Sequence, residues 1–251
     1  EGAKLVPFQE LIVDPLTLVI LSDLIRLTVE AFDESGISYF SMFGTQLSID
    51  RFHYFMPWDD DSDFGFYLDE LKQRKEKFFN ALSKRGLYLY WDRCLSEEAL
   101  DICKVFFTEQ GLRERMHDWD STVSEGWVEK VIASPLTWVD LFPLEKNGQY
   151  AKHLVSWWFN LYNKNLNEGK GYLAEDLKPS TQGEIHNFKL NESNNVNVLY
   201  EIWFNDRNPL KKWSMYNHKH YDGFDPLVLD NIEMYPEFED LIYQYLHFVF
   251  D

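Results

Sequence analysis

Residues 44–63 read GTQLSIDRFHYFMPWDDDSD, and we expect the rest of the chain to be organised around this stretch. Directly after a Pro-Trp step it ends in four carboxylates: Asp59, Asp60, Asp61 and Asp63. Carboxylates this close repel one another, so a folded protein keeps such a cluster mainly where a cation or solvent relieves the repulsion. On an extended backbone, Asp59, Asp61 and Asp63 point to the same face. The spacing therefore predicts a site for a divalent metal ion.

The sequence on either side of this stretch predicts alternating helices and strands. Apolar residues recur every three or four positions over 15–34, which predicts a helix that Gly36 ends. The β-branched and aromatic residues of 37–43 predict a strand, and so do the alternating aromatic residues of 62–68. A charged amphipathic helix is predicted over 68–84. The acidic cluster therefore lies where a predicted strand begins.

One later carboxylate, Asp140, lies in a strand predicted over 136–144, with apolar residues on both sides. A lone carboxylate in an apolar strand is costly to bury unless it is paired or bound to a metal ion. If this strand lies beside the one that carries Asp61 and Asp63, the three carboxylates form one site.

Three of the residues that precede the acidic cluster are candidates for binding phosphate: Gly44, Thr45 and Arg51. A glycine where a strand turns into a helix lets backbone amides approach a phosphate, and the helix N-terminus adds a favourable dipole. Thr45 offers a hydroxyl, and the guanidinium of Arg51 can bind phosphate through two hydrogen bonds. Taken alone, the same residues also fit an ordinary turn glycine with a capping threonine, and a solvated arginine or a partner for the aspartates.

Two segments of the chain resemble the LicD family, to which fukutin and fukutin-related protein are similar. The first consists, without a gap, of Gly44-Thr45, Arg51 and Pro57-Trp58-Asp59-Asp60-Asp61 with Asp63. The second, which resembles the family's later strand, is Trp138-Val139-Asp140-Leu141-Phe142-Pro143-Leu144. The two segments follow in the family's order, and the resemblance spans about residues 18–144.

The resemblance implies an α+β fold of the nucleotidyltransferase type, with a mixed sheet flanked by helices. We expect one domain over 1–251, with a core at about 15–144 and a helical, loop-rich C-terminal extension at about 145–251. The implied function is a metal-dependent phosphotransferase with Mg²⁺ or Mn²⁺ as cofactor. It would move a phospho-alcohol group, such as phosphocholine or ribitol phosphate, from a CDP-linked donor to a glycan acceptor.

The resemblance also implies roles for individual residues. The metal ligands would be four carboxylates: Asp59, Asp61, Asp63 and Asp140. Three of them would also be catalytic: Asp61, Asp63 and Asp140. The last of these would either complete the metal site or accept the proton of the attacking hydroxyl. The residues that position phosphate would be Gly44, Thr45 and Arg51.

The composition limits the possible partners. Hydrophobic residues make up 45% and aromatic residues 17% of the chain, which is too rich for a disordered protein. With 24 basic and 42 acidic residues the net charge is −18, so we expect no binding to nucleic acid. The longest apolar runs fall far short of the roughly 20 residues of a membrane span. Because of the negative net charge, a phosphate-bearing ligand would need a metal ion and local basic groups.

Three observations bear on the compartment. The chain opens with Glu1 and has no signal-peptide pattern, so we expect a fragment whose targeting segment has been removed. Asn191-Glu192-Ser193 is a glycosylation sequon that a lumenal protein could use. Together with the animal members of the LicD family, these features favour the Golgi lumen or the secretory pathway, whereas the bacterial members are cytoplasmic.

Residues 96–127 give a mixed pattern. The spacing of Leu100, Cys103 and Phe106 favours a helix, whereas the mixed charges over 113–120 favour a surface loop. No function is predicted for this region.

Two alternative interpretations remain. In the first, four acids have the spacing of an EF-hand calcium loop: Asp59, Asp61, Asp63 and Glu70. The sixth position of that loop needs glycine for its sharp turn and is Phe64 here. In the second, the chain is a catalytically silent, glycan-binding or regulatory LicD-like protein that retains the family's residues.

Overall fold

The computed structural model describes residues 12–90, 102–119, 124–154, 171–179 and 181–204, and three further elements at 213–215, 227–229 and 236–250. The fold over these residues is mixed α+β, with a mixed sheet flanked by helices, as the sequence predicts.

The helices and strands alternate over residues 15–90. The helices are α1 (Pro15–Ser35), α2 (Phe43–Phe52), α3 (Leu68–Ser83), α4 (Glu109–Trp119), α5 (Glu125–Ala133), α6 (Ala174–Leu177), α7 (Val196–Phe204) and α8 (Pro236–Phe250). The strands are β1 (Tyr39–Ser41), β2 (Asp61–Tyr67), β3 (Leu87–Tyr90), β4 (Cys103–Phe107), β5 (Trp138–Asn147), β6 (Tyr150–His153), β7 (Tyr172–Leu173), β8 (Gln182–Ile185), β9 (Phe188–Asn191), β10 (Trp213–Met215) and β11 (Leu227–Leu229). None of the described helices is both long enough and apolar enough to cross a membrane.

The main sheet has the strand order β1-β2-β5-β4-β3, and β6 and β7 continue it from β5. The pair β2–β5 is parallel, with Asp61 opposite Trp138 and Asp63 opposite Asp140. The other pairs of this sheet are antiparallel. The acidic cluster and the predicted later strand are therefore neighbours at the centre of the sheet.

One face of the sheet is covered by α1 and α3 and contains the aromatic core. Phe32 of α1 lies 6.5 Å from Phe66 of β2 and 4.8 Å from Phe78 of α3, measured between ring centroids. All three side chains are fully buried. Side chains alternate along a strand, so the residues that follow and precede Phe66 point to the opposite face.

The opposite face is covered only in part by the described residues. Helix α2 packs on it beside β2, where Phe43 contacts Phe142 of β5 with ring centroids 5.2 Å apart. Among the described residues, the part of this face at β3 is open to solvent, since Tyr88 and Tyr90 are 42% and 45% exposed. The three carboxylates of interest lie between the covered and the open part.

The C-terminal extension packs against the rest of the fold and contains β-hairpins besides helices. The hairpin β8–β9 contacts α2 and β1. Helix α8 buries Ile242 and Leu246 completely, and the Tyr245 hydroxyl donates to the carbonyl of Val13 at 2.7 Å. A second hairpin pairs β10 with β11.

Both interpretations of residues 96–127 are wrong where the structure describes them. The predicted helix around Cys103 is strand β4, in which Cys103, Val105 and Phe107 are buried and the residues between them are half-buried. This two-residue period is that of a strand with one face on the core. The predicted surface loop is largely helix α4.

The EF-hand interpretation is also wrong. Asp61 and Asp63 lie in strand β2 instead of a calcium-binding loop. The carboxylate of Glu70, which would be the twelfth ligand, accepts a hydrogen bond from the backbone N–H of Ser38 at 2.8 Å.

Candidate active site and metal centre

Three carboxylates converge at the parallel pair β2–β5. Asp63 and Asp140 are register partners, and Asp61 lies two residues before Asp63 on the same face of its strand. One oxygen of each of these three residues lies within 4.8 Å of those of the other two. Asp61 and Asp63 are partly buried, and Asp140 is only 6% exposed. The structure thus brings together the three predicted catalytic carboxylates.

This set of oxygens fits a hard divalent cation. Mg²⁺ and Mn²⁺ prefer oxygen ligands such as carboxylates, and Mg²⁺ is commonly held by a few carboxylates with water or substrate phosphate in the remaining positions. Three convergent carboxylates with partly open surroundings meet that requirement. A closed zinc site would instead need thiolate or imidazole ligands.

Asp61 and Asp63 resist ionisation while no cation is bound. Burial raises the pKa of Asp61 well above its usual value, and the charges of Asp63, Asp59, Asp140 and Asp60 raise it further. The pKa of Asp63 is raised by burial first and then by Asp140 and Asp59, against the opposing effect of Lys104 and of the Gly44 N–H. The electrostatic field therefore favours the binding of a proton or a metal ion.

Asp59, the fourth predicted metal ligand, lies beside the three convergent carboxylates rather than among them. Burial and the neighbouring Asp60 raise its pKa to about 7. A Cβ atom built on Gly44 would lie 2.9 Å from Asp59 Oδ2 and 3.7 Å from Asp63 Oδ2. Its carboxylate is thus next to that of Asp63, and its role as a metal ligand stays a prediction.

Gly44 and Thr45, which lie at the start of α2, form hydrogen bonds with Asp63 of β2. The backbone N–H of Gly44 donates to the Asp63 carboxylate, at the positive end of the helix dipole. The Thr45 hydroxyl accepts the backbone N–H of Asp63 at 2.7 Å and forms a hydrogen bond with the Ser62 hydroxyl at 2.6 Å. Both predicted phosphate-binding residues therefore lie at the site, where the observed contacts orient a carboxylate.

Arg51 lies in the last turn of α2, seven residues after Gly44, so about 10 Å of helix axis separates their backbones. Burial lowers the pKa of its guanidinium to about 10, and the nearby Tyr200 opposes this effect. Its carbonyl accepts a hydrogen bond from Tyr243 at 3.5 Å. The observed surroundings of Arg51 thus include the C-terminal extension, and its role in phosphate binding stays a prediction.

Two residues that the sequence reasoning missed contact Asp140. The Lys104 ammonium lies 2.6 Å from Asp140 Oδ1, and the Trp138 indole N–H donates to Asp140 Oδ2 at 3.2 Å. Lys104 also lies 4.4 Å from the centre of the Trp138 ring, a cation–π contact. The available signal was a single lysine in the apolar segment CKVFF, matched by a single aspartate in WVDLF.

These residues form a row across four strands. Asp63, Asp140, Lys104 and Tyr90 are successive register partners on β2, β5, β4 and β3. The row passes from carboxylate to ammonium to an exposed aromatic ring. Beside it, Tyr88 stacks on Phe106 with ring centroids 5.6 Å apart. The open aromatic part of the sheet is thus continuous with the acidic site.

The predicted glycosylation sequon is packed into the fold. The Asn191 side-chain amide donates to the Tyr39 carbonyl at 3.4 Å. Ser193 is only 2% exposed, and its hydroxyl donates to the Ser41 carbonyl at 3.0 Å. A glycan on Asn191 would have to displace these contacts with β1.

Part of the chain matches a known protein family. Residues 36–155 match the family described as LicD/FKTN/FKRP, nucleotidyltransferase domain. The matched segment contains the four predicted metal ligands and Lys104. A search among curated proteins found no match to the chain. The family indicates a transferase of a phosphotransferase-like kind. The match over residues 36–155 supports membership of this chain in the LicD/FKTN/FKRP family of nucleotidyltransferase domains.

Proposed function

We propose that this protein is a metal-dependent transferase that moves a phospho-alcohol group from a CDP-linked donor to a glycan acceptor. The transferred group would be phosphocholine, ribitol phosphate or a similar unit. The observation that carries the proposal is the convergence of Asp61, Asp63 and Asp140 on a parallel strand pair inside a LicD-type domain.

The three convergent carboxylates would hold Mg²⁺ or Mn²⁺, and Asp59 would bind the ion directly or through water. When bound, the ion would supply positive charge that neutralises the donor diphosphate and the charge that develops during transfer. The chain needs this contribution because its own net charge is −18. The backbone N–H of Gly44 and the hydroxyl of Thr45 would keep the Asp63 carboxylate oriented towards the ion.

Asp140 has two candidate roles, and its contacts favour one of them. It would either complete the metal site or accept the proton of the attacking acceptor hydroxyl. Both of its oxygens have cationic or N–H partners, Lys104 and Trp138, which fix the orientation of the carboxylate. A firmly oriented carboxylate is suited to binding a metal ion, so we assign Asp140 to the metal site.

The acceptor would lie on the open aromatic part of the sheet. Tyr88, Tyr90 and Phe106 lie on the same face as the acidic row, on the two strands beyond β5. Two strand spacings, about 10 Å, separate β5 from β3, so a sugar ring on these side chains would still bring a hydroxyl near the metal centre. Flat aromatic rings offer sugars a large apolar contact with few rotatable bonds.

The experiment that tests the proposal is a donor screen. CDP-choline, CDP-ribitol and CDP-glycerol are incubated with the protein and a set of acceptor glycans, with Mg²⁺, Mn²⁺ or EDTA, and released CMP is measured. We expect release with one donor, only with metal ion, and stimulated by one acceptor. Asp61→Asn should lower the rate by at least about a thousandfold, because it removes a charge from the metal site.

A matched control is Asp118→Asn, which changes an exposed carboxylate of α4 and should leave the rate unchanged. Equal rates for the wild type and Asp61→Asn would remove the assignment of the site. If no donor releases CMP while a glycan binds in the presence of EDTA, the silent glycan-binding alternative replaces the transferase.

A further inference from the structure

Lys104 is the cation in the row of register partners that starts with Asp63 and Asp140. It lies directly opposite Asp140 in the β4–β5 register, and its ammonium is 2.6 Å from Asp140 Oδ1. Its side chain is 33% exposed, whereas that of Asp140 is 9% exposed. The cation therefore approaches the buried carboxylate from the solvent side of the site.

Trp138 holds the lysine and the aspartate in one arrangement. Its ring lies 4.4 Å from the Lys104 ammonium, and its indole N–H donates to Asp140 Oδ2 at 3.2 Å. The contact of Trp138 with Asp140 does not depend on the lysine. Asp140 would therefore keep its orientation if the lysine moved away, while the aromatic ring would lose only a weak cation–π contact.

The carboxylates attract more positive charge than one lysine supplies. The oxygens of Asp61, Asp63 and Asp140 converge within 4.8 Å, and Lys104 opposes their repulsion with a single charge. An ammonium ion and a divalent ion at the same carboxylate repel each other, so each weakens the binding of the other. Lysine has a flexible four-carbon stem and a compact charge, which allow it to change partners with little movement of the backbone.

We propose that Lys104 is an exchangeable counter-ion of the metal site. Without metal it neutralises Asp140, and once a divalent ion is held by the carboxylates it turns to an oxygen of the donor diphosphate. This inference rests on the proposed function, because it requires both the ion and a phosphate-bearing ligand. It assigns Lys104 as the local basic group that an acidic chain needs for such a ligand.

The exchange predicts opposite effects of one substitution on two ligands. Lys104→Met has similar length without the charge, so it removes the competing cation and the partner of the phosphate together. We expect the dissociation constant for Mn²⁺ alone to fall about tenfold and that for CDP, measured in saturating Mn²⁺, to rise about tenfold, the size of one charge-assisted hydrogen bond. If Lys104 only supported the fold, its substitution would weaken the binding of both Mn²⁺ and CDP.

Isothermal titration calorimetry of the whole chain measures both constants, with Mn²⁺ alone first and CDP second. Lys130→Met, which changes an exposed lysine of α5, is the matched control and should leave both constants unchanged. Lys104→Gln keeps a hydrogen-bond donor for Asp140 and gives the same test if Lys104→Met does not fold. Mn²⁺ affinity that is unchanged or weaker in the Lys104 variants overturns the exchange alone. Absence of Mn²⁺ binding in the wild type and in the variants overturns the metal site and the proposed function with it.

Discussion

The two faces of the strand pair β2–β5 share one backbone and have opposite effects on stability. On the face towards α1 and α3, Phe64, Phe66 and Leu141 are fully buried. One residue away on the same strands, Asp63 and Asp140 lie side by side on the opposite face. The pKa of Asp63 is raised, and Asp140 is paired with Lys104. The first face stabilises the fold by burying apolar surface, and the second destabilises it until a cation binds. The three convergent carboxylates thus occupy a face that folding alone would make apolar.

The largest effect is expected on the apolar face. Phe66→Ala should lower the free energy of unfolding by about 3–5 kcal/mol and the melting temperature by about 10 °C, because it leaves a cavity between Phe32 and β2. Scanning calorimetry in EDTA measures this change. Phe248→Ala, at a side chain that is 77% exposed, is the control and should change the free energy by less than about 0.5 kcal/mol. Similar melting temperatures for the two variants would contradict the assignment of the core.

A smaller effect of pH is expected on the acidic face. The folded pKa of Asp59 is about 7, and those of Asp61 and Asp63 are also raised, so the folded state holds more protons than the unfolded one. The stability that these protons give is complete below the unfolded pKa, near 4, and is lost as the pH rises through the folded values. The melting temperature in EDTA should therefore fall between pH 5 and pH 8.

The stabilisation of the fold by Mg²⁺ should grow over the same range of pH. The ion needs ionised carboxylates, and these are available without loss of bound protons only at the higher pH. Melting curves at pH 5, 6, 7 and 8, each with EDTA or Mg²⁺, measure the difference. A Mg²⁺ shift that is largest at pH 5 would show that these carboxylates do not bind the ion.

The three carboxylates of the site were predictable because the local sequence pattern indicates their positions in strands. Asp61 and Asp63 are two residues apart in an extended segment, and Asp140 is a single charge in an apolar one. Both patterns have a physical cost that only a partner or an ion relieves. The parallel pairing that makes Asp63 and Asp140 neighbours was a condition of the prediction, and the structure meets it.

The surroundings of Lys104 and Arg51 were not predictable in the same way. Cys103 and Phe106 have helical spacing, and only pairing with β3 and β5, which lie outside the segment, makes it a strand. Arg51 illustrates the same limit, since Tyr200 and Tyr243, which adjoin it, belong to the C-terminal extension. A local pattern could identify these charges as unusual but could not identify their neighbours.

The smallest effect on stability is expected at Gly44, at the start of α2, next to the acidic face. Gly44→Ala adds a methyl group 2.9 Å from Asp59 Oδ2 and 3.4 Å from Met56 Cε. The gain in helix propensity, at most about 1 kcal/mol, offsets part of this crowding. We therefore expect the melting temperature in EDTA to change by only about 1–2 °C, while displacement of Asp59 weakens Mn²⁺ binding, measured by calorimetry.

Gly126→Ala separates the two contributions. Gly126 lies in helix α5, and the nearest atom to an added Cβ is Ser124 Oγ at 3.9 Å, so the methyl group meets no carboxylate. This variant gains helix propensity without crowding and should melt slightly above the wild type, with unchanged affinity for Mn²⁺. If Gly44→Ala behaves in the same way, the space at Gly44 does not serve the acidic cluster. Weaker Mn²⁺ binding in Gly44→Ala alone would show that the backbone of α2 must approach the carboxylates closely for the ion to bind.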